Sequence, residues 1–291
     1  MTYRQSRAFR NELTLPQRGV NWILLTLVFF TMIVPMINVV AVSISTDYDS
    51  MAPGIKLIPK TISFDGYGVV WTTRNLGQAF FNSCFVSVVA TFFTILLCSM
   101  AGYVLIQRDL PLRRAIASLI LFTLMIPGDL TLISMYSLNK QLGLLNSYAG
   151  LIINGLASGF SIMLMRNYFL SVPESLAESG RIDNASEMRI FLGIYLPLSL
   201  PGLASITFLE FIGKWNTLMT PLTIITDPKL QTLPVVLREI TNATDSTSGL
   251  QYIAPNAQMA AIVITILPLI VLYTFAQRFL IGGLTIGASK G

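Results

Sequence analysis

Histidine is absent from the chain, and only two cysteines occur in it. The first absence removes the Ser-His-Asp and Cys-His pairs of nucleophilic catalysis and every imidazole metal site. The two cysteines, Cys84 and Cys98, lie 14 residues apart in one apolar stretch. On a helix that separation is roughly 21 Å along the axis, too far for a disulfide. Charge is scarce as well: 11% of the 291 residues carry it, against about 25% in soluble domains. An intramembrane hydrolase would need an acid or nucleophile pair, and none is matched here.

What the chain has instead is apolar length. Between charges it runs uninterrupted over 19–46, 75–107, 141–165, 190–209 and 246–277, and 115–138 is interrupted only by Asp129. About 20 apolar residues cross a hydrocarbon core. The expectation is therefore an all-α, polytopic membrane protein with six transmembrane helices near 20–44, 80–106, 115–138, 147–170, 198–222 and 257–280. A soluble helical core would show polar stripes along helices of this length, and none is visible. The first apolar stretch is too long for a signal-peptide core and lacks a small-residue cleavage site, so it is expected to stay as a span.

The basic residues divide unevenly between the two sides. Arg4, Arg7, Arg10, Arg18, Arg108, Arg113, Arg114, Arg166, Arg181, Arg189, Arg278 and Lys290 fall on one side, twelve in all. Lys56, Lys60, Arg74, Lys140, Lys229 and Arg238, six in all, fall on the other. Short cytoplasmic loops keep the excess of Lys and Arg, which predicts both termini inside. It divides the chain into a cytoplasmic tail at 1–19, a membrane domain at 20–280 with a cytoplasmic hairpin at 171–195 and an outside loop at 227–256, and a cytoplasmic tail at 281–291.

The hairpin, SVPESLAESGRIDNASEMRIFLGIYLPL from Ser171, is the polar interruption. Ser171, Pro173 and Glu174 suit a helix start, with Ser171 as cap and Glu174 at the reciprocal capping-box position. A helix from about Pro173 to Asp183 should turn at Asn184, which accepts the left-handed conformation. Ser186 and Glu187 then suit a second helix with Ala185, Met188 and Phe191 or Leu192 on one face. The motif serves either as a knob for a partner's socket or as a plain surface connector.

At these residues the chain resembles ABC importer permeases of the maltose-type carbohydrate-uptake family. Their coupling loop carries E-A-A-x-x-x-G followed by I-x-L-P, and here Glu178-Ser179-Gly180, Ile182 to Ser186 and Ile194-Tyr195-Leu196-Pro197 stand in the matching places. Ser179 and Gly180 replace the two alanines, a change that could loosen the first helix, and Asn184 replaces the glycine. Ala101-Gly102-Tyr103, Met125-Ile126-Pro127, Leu142 to Asn146, Trp215-Asn216 and the ending from Gln277 to Gly291 are similar to family landmarks too. The branch importing complex oligosaccharides, such as alginate fragments, is similar in the Leu237 to Ile240 region.

The resemblance implies a type I ABC importer permease that is itself non-catalytic and binds no cofactor. It implies a second homologous permease, two ATP-binding cassette ATPase subunits holding ATP and Mg, an extracytoplasmic solute-binding protein, and a bacterial inner-membrane location. Lipid surrounds the spans, and no nucleic-acid partner is expected. Glu178, Ser179, Gly180, Asp183, Asn184, Ala185 and Met188 would contact an ATPase, as would the tail residues Ser289, Lys290 and Gly291. A change of Glu178 and Ala185 together is expected to uncouple transport. The glycines of Gly282 to Gly287 mimic P-loop spacing, but Ala288 stands where the phosphate-binding Lys would be.

Ionisable residues inside spans usually face a bundle interior or cavity. That singles out Asp129, beside Pro127 and Gly128, and the pair Glu210 and Lys214. Asn82, Trp215 and Asn216 join them as candidate sugar-path residues, although Glu210 and Lys214 could simply neutralise each other. The rival readings are an ABC permease for a non-sugar solute and an ion-coupled secondary transporter, which would show inverted repeats.

Overall fold

The computed structural model describes residues 15–73, 75–243 and 252–288. Helices dominate, and the one β feature among the described residues is an isolated bridge between Ser45 and Ile62. In chain order the helices are α1 (Leu15–Ser43), α2 (Asp47–Met51), α3 (Asp65–Thr73), α4 (Leu76–Val104), α5 (Arg113–Thr123), α6 (Leu132–Gln141), α7 (Tyr148–Ile153) and α8 (Gly159–Phe169). There follow α9 (Glu174–Ile182), α10 (Glu187–Ile190), α11 (Leu196–Leu198), α12 (Leu200–Trp215), α13 (Met219–Ile224), α14 (Leu233–Asn242) and α15 (Pro255–Ala288).

The chain forms two compact units, one comprising the residues up to Val69 with Ile253–Val263, the other Val70–Tyr252 with the residues from Ile264 onward. In the first unit, none of the apolar window of α1 is buried. A helix apolar all round that leaves its side chains uncovered suits lipid, not water. Asn256 is the polar centre of this unit: fully buried, it donates to the Ser45 carbonyl at 3.1 Å and to Asp47 at 2.7 Å. Its own oxygen accepts from the Ala257 amide at 2.8 Å. A buried amide with every group partnered fixes where the loop after α1 meets the start of α15.

The second unit is built around α4, which packs against α7, α8, α12 and α14. Its buried face carries Asn82, Ser83, Val86, Ser87, Ala90, Thr91, Thr94, Cys98, Ser99 and Gly102. Small residues let membrane helices approach closely. At Gly102 a Cβ would stand 3.0 Å from the Arg166 amide nitrogen and the Met165 side chain of α8. At Gly202 it would lie 2.4 Å from the Tyr168 ring. Neither position can carry a side chain without moving its neighbour.

Three helices are long and apolar enough to cross a bilayer: 16–43, 76–104 and 255–279. The other three expected spans are broken, which corrects their reading as continuous helices. Near 115–138, α5 ends before Pro127 and a 3-10 turn at Gly128–Thr131 precedes α6. Near 147–170 the break lies between α7 and α8, where Gly155 takes φ +86° and Ser158 caps α8. Near 198–222 the chain bends by 82° at Ser199, before α12. It breaks again after Trp215, where Asn216 and Thr217 turn their side chains back onto the carbonyls of Ile212 and Gly213. Breaks of this kind inside a membrane are tolerated where protein or a cavity covers the freed backbone groups.

Candidate functional site

The hairpin forms α9 and α10 with the reversal where the sequence placed it. Asn184 has φ 57°. The Asn184 amide donates to the Arg181 carbonyl at 3.0 Å and the Ala185 amide to the Gly180 carbonyl at 2.9 Å. Those two bonds are the Schellman closure, and they satisfy carbonyls that the helix end would leave open. Ser186 caps α10 by accepting from the Arg189 amide at 3.3 Å. The start of α9 differs from expectation: Pro173 holds the cap position without a side-chain bond, and Ser171 donates back to the Tyr168 carbonyl instead.

Ser179 and Gly180 do not interrupt α9. The Ser179 hydroxyl bonds the Ser175 carbonyl at 2.9 Å, and Gly180 is where Ile190 and Ile194 approach, within 3.3–3.4 Å of a built Cβ. A smaller residue there lets the second helix lie against the first. Beneath both sits a cluster of Tyr103, Met165, Phe169, Ala177, Ile190, Phe191, Tyr195 and Ile206, against which Ala185 packs. Tyr103 meets Tyr195 at 5.0 Å and Phe191 at 5.1 Å, and Phe169 meets Tyr195 at 5.7 Å in an edge-to-face pair. Such ring pairs add to area burial, so hairpin and bundle share one packed core.

Polar ties supplement the cluster. The Tyr103 hydroxyl donates to Glu187 at 2.5 Å, Arg181 donates to the same carboxylate at 2.8 Å and to Gln107 at 3.1 Å, and Arg108 pairs with Glu174. Arg181, and after it the Tyr103 hydroxyl, hold the Glu187 carboxyl below its usual range. Arg181 is therefore engaged with Glu187, not with Glu178 one turn before it. Glu178, Ser179, Asp183, Asn184 and Met188 are exposed, whereas Ala185 is half-buried in the cluster. Of the face expected from Ala185, Met188 and Phe191 or Leu192, Phe191 is buried, whereas Leu192 is exposed together with Met188. Ser289, Lys290 and Gly291 lie outside the described residues, as do Arg4, Arg7, Arg10 and Arg74.

The expected substrate-path residues fall into two groups. Asn82 is fully buried, and its amide donates to the carbonyls of Lys229 at 2.9 Å and Gln231 at 2.8 Å while its oxygen accepts from Gln78 and the Tyr148 hydroxyl. Every bond its side chain can offer those neighbours is taken, and it anchors the segment after α13. Trp215 is also buried, its indole N–H on the Thr265 carbonyl at 3.2 Å and its ring stacked on Phe211. Neither side chain is open to a sugar in this conformation. Asn216 is exposed. Asp129 falls within the 3-10 turn at Gly128–Thr131, and its side chain lies outside the described residues.

Glu210 and Lys214 are close but only loosely paired, at 3.9 Å. Glu210 accepts from the Ser161 hydroxyl and Lys214 donates to the Gly155 carbonyl, the one exposed by the break between α7 and α8. Lys214 lines a cavity of about 190 Å³ with Ser83, Ser87, Asn154, Thr217, Thr220 and Thr232. The segment 227–256, expected to be an outside loop, is less of a loop than its polarity suggested, since α14 buries Leu233, Val235, Val236 and Ile240; residues 244–251 of it lie outside the described residues. A further clasp escaped the sequence reading: Asn146, at φ 49°, accepts from the amides of Thr226 at 2.6 Å and Asp227 at 3.0 Å. The only sequence signal was an asparagine after Leu142–Leu145, a residue that tolerates positive φ.

Among the described residues no group of acidic and cysteine side chains could hold a metal ion. A helical membrane bundle with broken inner spans and one polar hairpin fused to it through an aromatic cluster defines a transport subunit with a surface knob. Residues 95–285 match the model of the "Binding-protein-dependent transport system inner membrane component" family, and the chain belongs to that family. It is 32% identical over 267 residues to the polygalacturonan/rhamnogalacturonan transport system permease protein YtcP of Bacillus subtilis (strain 168), with 89% of this chain and 93% of that protein covered. It is 32% identical over 265 residues to the arabinooligosaccharides transport system permease protein AraQ of Halalkalibacterium halodurans, covering 90% and 92%.

A chain in the crystal structure of a bacterial ABC transporter involved in the import of the acidic polysaccharide alginate superposes with TM-score 0.83 at 27% identity, over 91% of this chain and 98% of that one. The protein is thus an all-α permease of the type I ABC importer architecture, an inner-membrane component and a non-catalytic subunit of its system.

Proposed function

We propose that this chain is one of two permease halves of an importer that carries an oligosaccharide into the cytoplasm, with both termini and the hairpin inside. Two ATPase subunits holding ATP and Mg would dock on the hairpins, and closure of the ATPase pair would tilt the helices between two global states. Nucleotide supplies the differential affinity that such a switch requires. An extracytoplasmic binding protein would deliver the sugar at the opposite face. The cargoes in the names of the relatives, polygalacturonan/rhamnogalacturonan, arabinooligosaccharides and alginate, support an oligosaccharide.

The observation that carries the reading is the hairpin itself. A Schellman-closed pair of helices whose inner face is buried in Tyr103, Phe169, Phe191 and Tyr195 is rigid enough to transmit a push, and its outer face, Glu178 with Met188, is left for a partner. Ala185 is a poor probe because replacing it disturbs the cluster. The test is Glu178→Ala with Met188→Ala in the reconstituted importer. The expected result is an assembled complex whose binding-protein-stimulated ATP hydrolysis and uptake fall by about tenfold, equivalent to about 1.4 kcal/mol of lost docking. Normal stimulation in that variant overturns the role given to the hairpin.

A further inference from the structure

We propose that the bond between Tyr103 and Glu187 is the joint through which a displacement of the hairpin reaches α4, which makes these two the positioning residues of coupling; this rests on the ATPase docking proposed above. Tyr103 is the last residue but one of α4, and Glu187 opens α10. Arg181 stands in the last turn of α9. One carboxylate therefore gathers three elements: Tyr103 donates to it from α4 at 2.5 Å, Arg181 donates to it from α9 at 2.8 Å, and α10 carries it. A second tie runs alongside, from Arg181 to Gln107 just beyond the end of α4, at 3.1 Å.

The apolar cluster beneath the hairpin holds it without fixing its register. Hydrophobic attraction is non-directional, and aromatic rings accept both offset and edge-to-face arrangements. Tyr103 already uses two kinds, edge-on to Phe169 and Tyr195 and tilted to Phe191. A hydrogen bond to a carboxylate is directional and about twice as strong as a neutral one. The Tyr103 hydroxyl is where the buried cluster ends in such a bond. Its residue is 7% exposed, whereas Arg108 and Glu174, which pair nearby, are open to solvent at 75% and 44%. Exposed pairs contribute little, so the Tyr103 bond is the firmer link.

The choice of α4 as receiver follows from its packing. It contacts α7, α8, α12 and α14, so a shift at its end is felt by each of them through packed side chains. A push on α10 moves the Glu187 carboxylate, and the Tyr103 hydroxyl follows it with the end of α4. Because Tyr103 is buried, removing its hydroxyl takes away no contact that an ATPase could make. The outward residues Glu178 and Met188 stay as they are. The ring of a Tyr103→Phe variant keeps its place in the cluster, and Arg181 still orients Glu187. The variant therefore cuts the transmission behind the docking face and spares the face itself.

The test is the complete importer in proteoliposomes with its binding protein, supplied with a mixture of arabinooligosaccharides and oligogalacturonates. The quantity read is sugar taken up per ATP hydrolysed, for equal amounts of assembled complex. Tyr103→Phe is expected to keep stimulated hydrolysis within about twofold of wild type while uptake per ATP falls about fivefold. Glu187→Ala should fall as far. Since both act through one bond, the double variant should fall no further than the lower single variant. Arg108→Ala should keep the wild-type ratio. A wild-type ratio in Tyr103→Phe overturns the inference, and so does a loss that only tracks the amount of assembled complex, which is what a merely structural role would give. If Glu178→Ala with Met188→Ala loses stimulation while Tyr103→Phe keeps its ratio, the joint is overturned and the docking reading stands. A wild type with neither stimulated hydrolysis nor uptake overturns both.

Discussion

Replacing Asn184 isolates the contribution of one backbone conformation to the hairpin. At φ 57° the residue occupies a region that costs an ordinary L-residue roughly 1–2 kcal/mol. Asparagine tolerates it better and glycine does so without a Cβ penalty. Asn184→Ala is therefore expected to destabilise the closed hairpin by about 1 kcal/mol, which is about a fivefold rise in its opening constant. Asn184→Gly should stay close to wild type, because the strain it relieves is offset by the freer unfolded chain.

The amides of Asn184 and Ala185 report the opening directly, since each is bonded to a carbonyl of α9. Hydrogen exchange on the purified complex in nanodiscs should show those two amides losing about fivefold protection in the Ala variant and little in the Gly variant. Residues in the aromatic cluster, such as Phe191, should be unaffected in both. Equal protection in wild type and Asn184→Ala, or a Gly variant weaker than the Ala variant, would refute the claim that left-handed geometry holds the turn.

Two further outcomes follow from packing. Asn82→Ala strands the carbonyls and hydroxyl that its amide satisfies, each worth about 1–3 kcal/mol when buried, and should raise hydrogen exchange at residues 229–233 by about tenfold or more; unchanged exchange would show that the segment is held by other contacts. Gly202→Ala places a methyl 2.4 Å from the Tyr168 ring. Overpacking of that kind costs about 1–3 kcal/mol, so a lower thermal midpoint of the complex is expected, with recovery when Tyr168→Leu is added.

The hairpin shows how far sequence reaches. Its turn at Asn184, the start of a second helix at Ser186 and Glu187 and the order of two short helices are local properties, set within a few residues by backbone sterics and side-chain bonding, and all were legible. Its cap at Ser171 was misread: Pro173 takes the cap position, and the Ser171 hydroxyl donates to the Tyr168 carbonyl. The fate of Ser179 and Gly180 was not legible either. Glycine looks like a weakness in α9 until Ile190 and Ile194 are seen packed against it.

The substrate path shows the limit more sharply. Asn82 and Trp215 have the chemistry to bind a sugar, and in this fold both are occupied by carbonyls more than forty residues away in sequence. Thr232 drew no notice in sequence and ends buried in the wall of the cavity that Lys214 lines.

The sequence by itself determined that this is a helical membrane chain without a catalytic pair, where its apolar segments lie, and where its polar hairpin turns. Those follow from hydrophobic length, missing residue types and short-range sterics. Only the tertiary structure decided that three of the spans are broken, that Ala185 faces inward and Glu178 outward, and that Lys214 lines a polar cavity. Those depend on which distant carbonyls, rings and glycines meet, a matter of long-range packing that no local pattern encodes.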